Sequence, residues 1–276
     1  MRHEDSTFAG FGGISLFAQA WLPEARPRAA VALVHGFGEH SGRYANVVES
    51  LVPKGYAVHA YDLRGHGRSS GQRGLILSWG EYHEDTRIYL RGVMDQHAGI
   101  PIFLYGHSLG GLIALEYALR DPAGLRAVIA SGPTLGPPGV PPFLLALSRV
   151  LSAVLPRFSL DARLEAAALS RDPRVAQAYK DDPLVHGRGT ARLGAEFSRT
   201  VEWVQAHAGD LRLPLLILHG AADRLSPPAY SLRFYEQAGS QDKTRLELPG
   251  GYHEPQNDVD HARVLADVEA WIARHL

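Results

Sequence analysis

Short apolar runs alternate with longer segments of helical periodicity along most of the chain. The most apolar runs span residues 31–35, 56–62, 102–106, 127–131 and 213–219. A strand that is apolar at nearly every position must be covered on both faces, so these runs predict parallel strands inside a sheet. The run at 14–22 predicts an edge strand, and the alternating run at 243–248 predicts a strand near the other edge.

The segments between these runs have the spacing of amphipathic helices. They span residues 43–51, 79–96, 110–120, 228–237 and 258–275. Regular alternation of strand and helix predicts a mostly parallel, doubly wound α/β sheet. We therefore expect residues 1–276 to form a single α/β domain, with its ligand at the carboxyl ends of the strands.

One connection, residues 132–212, is much longer than the others. A crossover between parallel strands needs about a dozen residues, and a structureless loop of this length would be unusual in a compact domain. The segment opens with clustered glycine and proline and continues with helical patterns at 143–155 and 190–206. It predicts a helical cap, or lid, inserted after the sixth strand and covering the ligand site.

The strongest chemical signal is Gly106-His107-Ser108-Leu109-Gly110. It matches the G-x-S-x-G nucleophile elbow, in which a serine lies on a sharp turn between a strand and a helix. A predicted strand ends at this motif and a predicted helix follows it. An incidental serine in a glycine-rich turn is the alternative, but the strand–turn–helix context favours Ser108 as a nucleophile.

A nucleophilic serine needs a base and a carboxylate that orients the base. On folds with this elbow, the order along the chain is serine, acid, histidine. Asp223 follows the predicted strand 213–219, and His253 follows the predicted strand 243–248. Asp223 could instead cap a turn, and His253 could be one of several surface histidines, but their order and placement favour a Ser108–Asp223–His253 triad.

An oxyanion formed during acyl transfer needs two N–H donors. The sequence His35-Gly36-Phe37-Gly38 follows the strand 31–35, where this fold supplies its first donor. We expect the backbone N–H groups of Phe37 and Leu109 to form the oxyanion hole. A simple tight turn is the alternative, and the side chain of His35 is expected to be structural.

Composition excludes several function classes. The chain has 28 basic and 29 acidic residues, and this near-neutral balance argues against nucleic-acid binding. Cysteine is absent, which excludes thiolate catalysis. The 14 histidines lack the spacing of known metal motifs, so we expect no metal. A serine hydrolase mechanism needs no cofactor, so we expect none. No signal sequence or membrane span is evident, so we expect a cytoplasmic protein.

Several motifs together resemble the monoacylglycerol lipase family of α/β-hydrolases and its lysophospholipase-like bacterial relatives. The motifs are HGFGEHSGRY at 35–44, DLRGHGRS at 62–69, GHSLGG at 106–111, HGAADRL at 219–225 and GYH at 251–253. The resemblance implies the α/β-hydrolase fold and a serine ester hydrolase. Its substrate would be a lipid ester, a monoacylglycerol cleaved to glycerol and free fatty acid through an acyl-enzyme on Ser108.

The resemblance also implies residues that contact the substrate. Glu39 and Arg43 would shape the polar end that holds the glycerol group, although a solvated loop pair is the alternative. In the apolar stretch 143–155, Leu144 and Leu147 would contact the acyl chain or a membrane surface, or else pack inside the cap. One departure is Gln256, where animal members of the family commonly carry a second histidine.

Other functions fit the same residues. On the same fold, the alternatives are a lysophospholipase, a general carboxylesterase, an acyltransferase or an imino- or aminopeptidase. From a different class, the fold could serve as a non-catalytic ligand-binding protein.

Overall fold

The computed structural model describes residues 1–137, 152 and 154–276. Within them are ten strands: β1 Arg2–Ala9, β2 Ser15–Leu22, β3 Ala29–Val34, β4 Tyr56–Tyr61, β5 Ile102–His107, β6 Ala127–Ser131, β7 Ser159–Asp161, β8 Arg188–Thr190, β9 Leu215–Gly220 and β10 Lys243–Leu248. Eight form one sheet in the order β1-β2-β4-β3-β5-β6-β9-β10, while β7 and β8 pair separately. Six neighbouring strands of this sheet are parallel: β4, β3, β5, β6, β9 and β10.

Seven α-helices are present in the same residues: α1 Ala45–Leu51, α2 Gly80–Gln96, α3 Leu109–Arg120, α4 Pro173–Asp181, α5 Ala191–Ala206, α6 Pro228–Gln237 and α7 His261–Ala273. Each helix predicted from the sequence outside the long connection has a counterpart here, with ends that shift by up to three residues. The α/β-hydrolase fold expected from the sequence is therefore confirmed.

Two hydrophobic cores lie on opposite faces of the sheet. All six residues of β3 are buried, and they alternate between the cores. Ala30, Ala32 and Val34 pack with residues of α2 and α3, whereas Ala29, Val31 and Leu33 pack with residues of α1 and α7. This two-sided burial is the reason why the central strands are apolar at every position.

The prediction that residues 14–22 form an edge strand was wrong. The outer strand is β1, which pairs antiparallel with β2 from Arg2 opposite Leu22 to Ala9 opposite Ser15. The first six of its eight residues are all exposed, so β1 carries no alternating apolar pattern. Backbone hydrogen bonds to β2 hold this strand, and such bonds leave no mark in the pattern of side chains.

Between β6 and β9, the described residues form β7, α4, β8 and α5. The predicted helix at 190–206 is present as α5. A small separate core joins Ala166, Leu169, Ala176 and Tyr179, and it packs against Leu225 in the loop after β9. Most of the predicted segment 143–155, including Leu144 and Leu147, lies outside the described residues. Among the helices that are described, none is long and apolar enough to cross a membrane.

Candidate active site

Ser108 lies at the sharp turn between β5 and α3. Its backbone has φ 54° and ψ −116°, and it is the only non-glycine residue with positive φ in the described part of the chain. Such a conformation costs about 1–3 kcal/mol and persists only where the surroundings enforce it. The Ser108 N–H donates to the Ser131 carbonyl at 3.0 Å, and the Leu112 N–H donates to the Ser108 carbonyl at 3.1 Å. The turn is therefore held by β6 on one side and by α3 on the other.

Small residues flank Ser108 because the backbone is crowded there. A Cβ on Gly106 would collide with the carbonyl of Gly110. A Cβ on Gly110 would collide with the carbonyls of Val34 and His35. The two glycines of the motif thus allow α3 to begin directly against β3 and β5.

The imidazole of His253 joins Ser108 to Asp223. The Ser108 hydroxyl donates to His253 Nε2 at 2.9 Å, and His253 Nδ1 donates to Asp223 Oδ2 at 2.8 Å. All three side chains are buried. The loop after β10 that carries His253 is held by the long connection, since the Glu254 N–H donates to the Leu169 carbonyl at 2.8 Å.

Hydrogen bonds fix the carboxylate of Asp223. Its Oδ1 accepts the backbone N–H groups of Leu225 at 2.8 Å and Ser226 at 2.9 Å. Its Oδ2 also lies 3.2 Å from His219 Nε2. Burial alone would raise the pKa of Asp223, but His253, His219 and the backbone N–H groups hold it far below its ordinary value. Asp223 is therefore ionised at neutral pH.

The charge of Asp223 acts on His253 in turn. Burial alone would lower the pKa of His253, but the adjacent Asp223 carboxylate raises it above its ordinary value of 6.5. Since Asp223 accepts the Nδ1 proton, neutral His253 exposes an unprotonated Nε2 to the Ser108 hydroxyl. This arrangement can remove a proton from Ser108 and stabilise the resulting imidazolium.

The two predicted N–H donors flank Ser108. Gly36 packs against it, because a Cβ on Gly36 would lie 3.1 Å from Ser108 Cβ. Phe37 comes next, and its N–H has no acceptor among the residues that the structure describes. Leu109 is the first residue of α3, where backbone N–H groups have no carbonyl of a preceding turn to bind.

A buried ion network lies beside Ser108. Arg43 Nη1 donates to Glu39 Oε2 at 2.7 Å and to Glu254 Oε1 at 2.7 Å, while its Nη2 donates to Glu254 Oε2 at 3.0 Å. Glu39 Oε1 accepts the Tyr44 hydroxyl and the Gly36 N–H, each at 2.7 Å. The predicted pair of Glu39 and Arg43 is therefore not a solvated loop pair.

This network sets the charge of its members. Burial alone would raise the pKa of Glu39, but the Arg43 guanidinium lowers it to about 2. The pKa of Arg43 is raised by Glu254 and Glu39 against the effect of burial. The carboxyl groups of Glu39 and Glu254 both face the Arg43 guanidinium, so the side of the pocket next to Ser108 is polar.

Tyr179 completes this polar side, and no motif or pattern in the sequence pointed to it. It lies in α4, its ring stacks on the Arg43 guanidinium at 5.0 Å, and its buried hydroxyl has no partner in the described part of the structure. Tyr179 lines a pocket together with Phe37, Ser108 and the ion network. Leu164 and Leu169 form its apolar side.

Two other acidic residues could have replaced Asp223 as the partner of His253. Asp242 accepts a hydrogen bond from His275 at 2.8 Å, and Glu254 is occupied by Arg43. Gln256 does not reach the pocket that contains Ser108, and its amide oxygen instead accepts the Ser131 hydroxyl at 3.0 Å.

Comparison with known proteins identifies the family of this chain. The family described as serine aminopeptidase, S33 (Hydrolase_4) matches residues 25–260. The monoacylglycerol lipase of Mycolicibacterium smegmatis is 38% identical over 274 residues, which cover 99% of this chain and 98% of that protein. Human monoglyceride lipase is 31% identical over 267 residues, with 95% and 88% covered. The crystal structure of Paleococcus ferrophilus monoacylglycerol lipase superimposes with a TM-score of 0.83 at 35% identity, and each chain is fully covered.

Fold and site define a serine hydrolase of the α/β-hydrolase class. The matches extend over nearly the whole chain, including the connection between β6 and β9. The chain belongs to the monoacylglycerol lipase family.

Proposed function

We propose that this protein hydrolyses monoacylglycerols to glycerol and free fatty acid. The observation that carries the proposal is the hydrogen-bonded chain from Ser108 through His253 to Asp223, which opens into a pocket with one polar and one apolar side. The family relatives named as monoacylglycerol lipases support the choice of substrate.

The proposed reaction has two steps. Ser108 Oγ attacks the ester carbonyl while His253 Nε2 takes its proton, and the N–H groups of Phe37 and Leu109 stabilise the oxyanion. His253 then protonates the departing glycerol oxygen. In the second step, water loses a proton to His253 and attacks the acyl-enzyme, which releases the fatty acid and restores Ser108.

The polar side of the pocket would receive the glycerol group. The free hydroxyl of Tyr179 and the carboxylates of Glu39 and Glu254 offer a donor and several acceptors close to Ser108. Arg43 would hold both carboxylates in place. A substrate hydroxyl that pairs with these groups would satisfy the buried phenol of Tyr179, and an ester without such a hydroxyl would leave it unpaired.

We further propose that residues 132–212 act as a lid that selects the acyl chain and contacts lipid. In the described part of this segment, four apolar side chains are strongly exposed: Val154 at 71%, Leu155 at 52%, Phe158 at 46% and Leu160 at 57%. A cluster of exposed apolar residues is typical of a binding surface. Leu144 and Leu147 would extend this surface or contact the acyl chain.

A labelling experiment and a substrate panel test the proposed function. Wild-type protein should react with a fluorophosphonate at Ser108, and Ser108→Ala should lose both labelling and about 10⁶-fold in turnover while remaining folded. The panel compares monoacylglycerols of increasing chain length with lysophospholipids, diacylglycerols and short p-nitrophenyl esters. A folded Ser108→Ala protein with most of its activity would refute the serine mechanism, and a clear preference for lysophospholipids would refute the substrate.

The lid is tested by Leu144→Glu and Leu147→Glu. We expect each variant to lose activity on vesicle-borne monoacylglycerol but to keep its rate on a soluble butyrate ester, because the sheet carries the reacting groups. Leu232→Glu changes an exposed leucine of α6 outside the segment and is the matched control. Equal losses on both substrates, or a large drop in melting temperature, would mean that these leucines are core residues of the lid.

A further inference from the structure

Thr134 holds Ser108 at two points. It follows β6 in the chain, and its N–H donates to the Ser108 carbonyl at 3.2 Å. Its hydroxyl oxygen lies 3.1 Å from Ser108 Oγ. The nucleophilic oxygen therefore has two hydrogen-bond partners, His253 on one side and Thr134 on the other.

A second hydroxyl extends this contact to the acid. Ser226 Oγ lies 2.9 Å from Thr134 Oγ1, and Ser226 is buried. The Ser226 N–H donates to Asp223 Oδ1 at 2.9 Å. A bridge of two hydroxyls thus runs from Ser108 to the loop of Asp223, in parallel with the bridge through His253.

The position of the Ser108 proton shows which of the two hydroxyls, Ser108 or Thr134, donates the hydrogen bond between them. Ser108 has one hydroxyl proton, and in the reactive state it points to the unprotonated Nε2 of His253. The hydrogen bond between Thr134 and Ser108 Oγ then uses the Thr134 proton. Ser226 in turn can donate to Thr134 Oγ1.

We propose that Thr134 is a catalytic residue that stabilises Ser108 Oγ through a donated hydrogen bond. This inference rests on the proposed function. As His253 takes the proton of Ser108, electron density rises on Oγ until its bond to the acyl carbon forms. In the second step the C–Oγ bond breaks, Oγ keeps the electron pair, and His253 returns a proton to it. A fixed donor stabilises the transition states of both steps, because Oγ carries more negative charge in them than in the ground state.

Thr134→Val tests this assignment because valine keeps the shape of threonine and removes the donor. We expect kcat for p-nitrophenyl butyrate to fall about tenfold, which corresponds to about 1.4 kcal/mol, with KM nearly unchanged. The rate constant for fluorophosphonate labelling should fall by a similar factor. Thr134→Ser retains the hydroxyl and should recover most of the loss. Thr200→Val, at a buried threonine of α5, is the control for the same change elsewhere.

Ser226→Ala gives a second test that leaves Thr134 in place. It should lower kcat by less than Thr134→Val, and the double variant should lose no more than Thr134→Val alone. A folded Thr134→Val protein with wild-type kcat and wild-type labelling rate overturns the inference. If Thr134→Val does not fold, a Ser226→Ala protein with unchanged kcat overturns it instead. Absence of labelling in the wild type would refute the proposed function itself, so the two failures are distinguishable.

Discussion

Replacement of Asp223 by asparagine tests whether the carboxylate of Asp223 serves catalysis or only holds its loop. Asp223 Oδ1 accepts two backbone N–H groups, from Leu225 and Ser226, while Oδ2 accepts from His253. In the variant, the amide oxygen can satisfy the two backbone donors only if the amide nitrogen takes the place of Oδ2. That nitrogen is a donor, so His253 Nδ1 must become an acceptor and the ring proton must move to Nε2.

This change of tautomer removes the base. An Nε2 that carries a proton cannot accept the proton of Ser108, and the same exchange in a serine protease triad lowers kcat by about 10⁴. The corresponding loss of transition-state stabilisation is about 5 kcal/mol. KM should change little, because Asp223 does not line the pocket.

The pH profile supplies an independent measurement. Activity requires neutral His253, so the wild-type rate falls as the pH drops through the pKa of His253, which Asp223 raises above 6.5. Without that carboxylate, burial dominates and the pKa of His253 falls. The acid limb of the Asp223→Asn profile should therefore move to lower pH.

The assay is hydrolysis of p-nitrophenyl butyrate between pH 5 and 9, with thermal unfolding to verify that the variant is folded. Asp258→Asn is the matched control, because Asp258 is also buried but binds Arg171 and nearby N–H groups rather than His253. An Asp223→Asn protein within tenfold of the wild-type kcat, or with an unmoved acid limb, would refute the reasoning.

Two further predictions concern the ion network. Arg43→Met leaves Glu39 and Glu254 buried without their cation, so the free energy of unfolding in urea should fall by about 3–5 kcal/mol; a loss below 1 kcal/mol would contradict this account. Because the pKa of Glu39 is lowered from 4.5 to about 2, its contribution to stability is complete above pH 4.5 and is lost as the pH falls towards 2. Urea unfolding between pH 6 and 3 should therefore show a shallower acid loss for Glu39→Gln than for the wild type, and identical slopes would exclude Glu39 as a source of acid sensitivity.

Much of the fold could be predicted because its signals are local. Two-sided burial makes β3 to β6 and β9 apolar at nearly every position, and this pattern is visible without any partner strand. The elbow at Ser108 is equally local, since only glycines fit where its neighbours meet other backbone atoms. The order of Ser108, Asp223 and His253 is the one that folds with this elbow use. Their expected proximity follows from the rule that the carboxyl ends of parallel strands share one edge.

Tertiary structure alone decided the features that leave no mark in the side-chain pattern, and the contacts between residues distant in sequence. The strand β1 is held by backbone hydrogen bonds to β2, which form whatever its side chains are. Its residues are mostly polar and exposed, so no apolar pattern indicated a strand. Arg43 and Glu254 are separated by 211 positions, and neither residue type indicates the other as its partner.

The same is true of Tyr179 and Thr134, which both reach the site from the long connection, Tyr179 from α4 and Thr134 from the residues just after β6. Their contacts depend on how loops and layers orient side chains in space. Periodicity along a chain reports whether a position is buried, because burial follows from the repeat of the element that carries it. It does not report which distant group a buried polar atom will meet, because that is set by the packing of whole elements against one another.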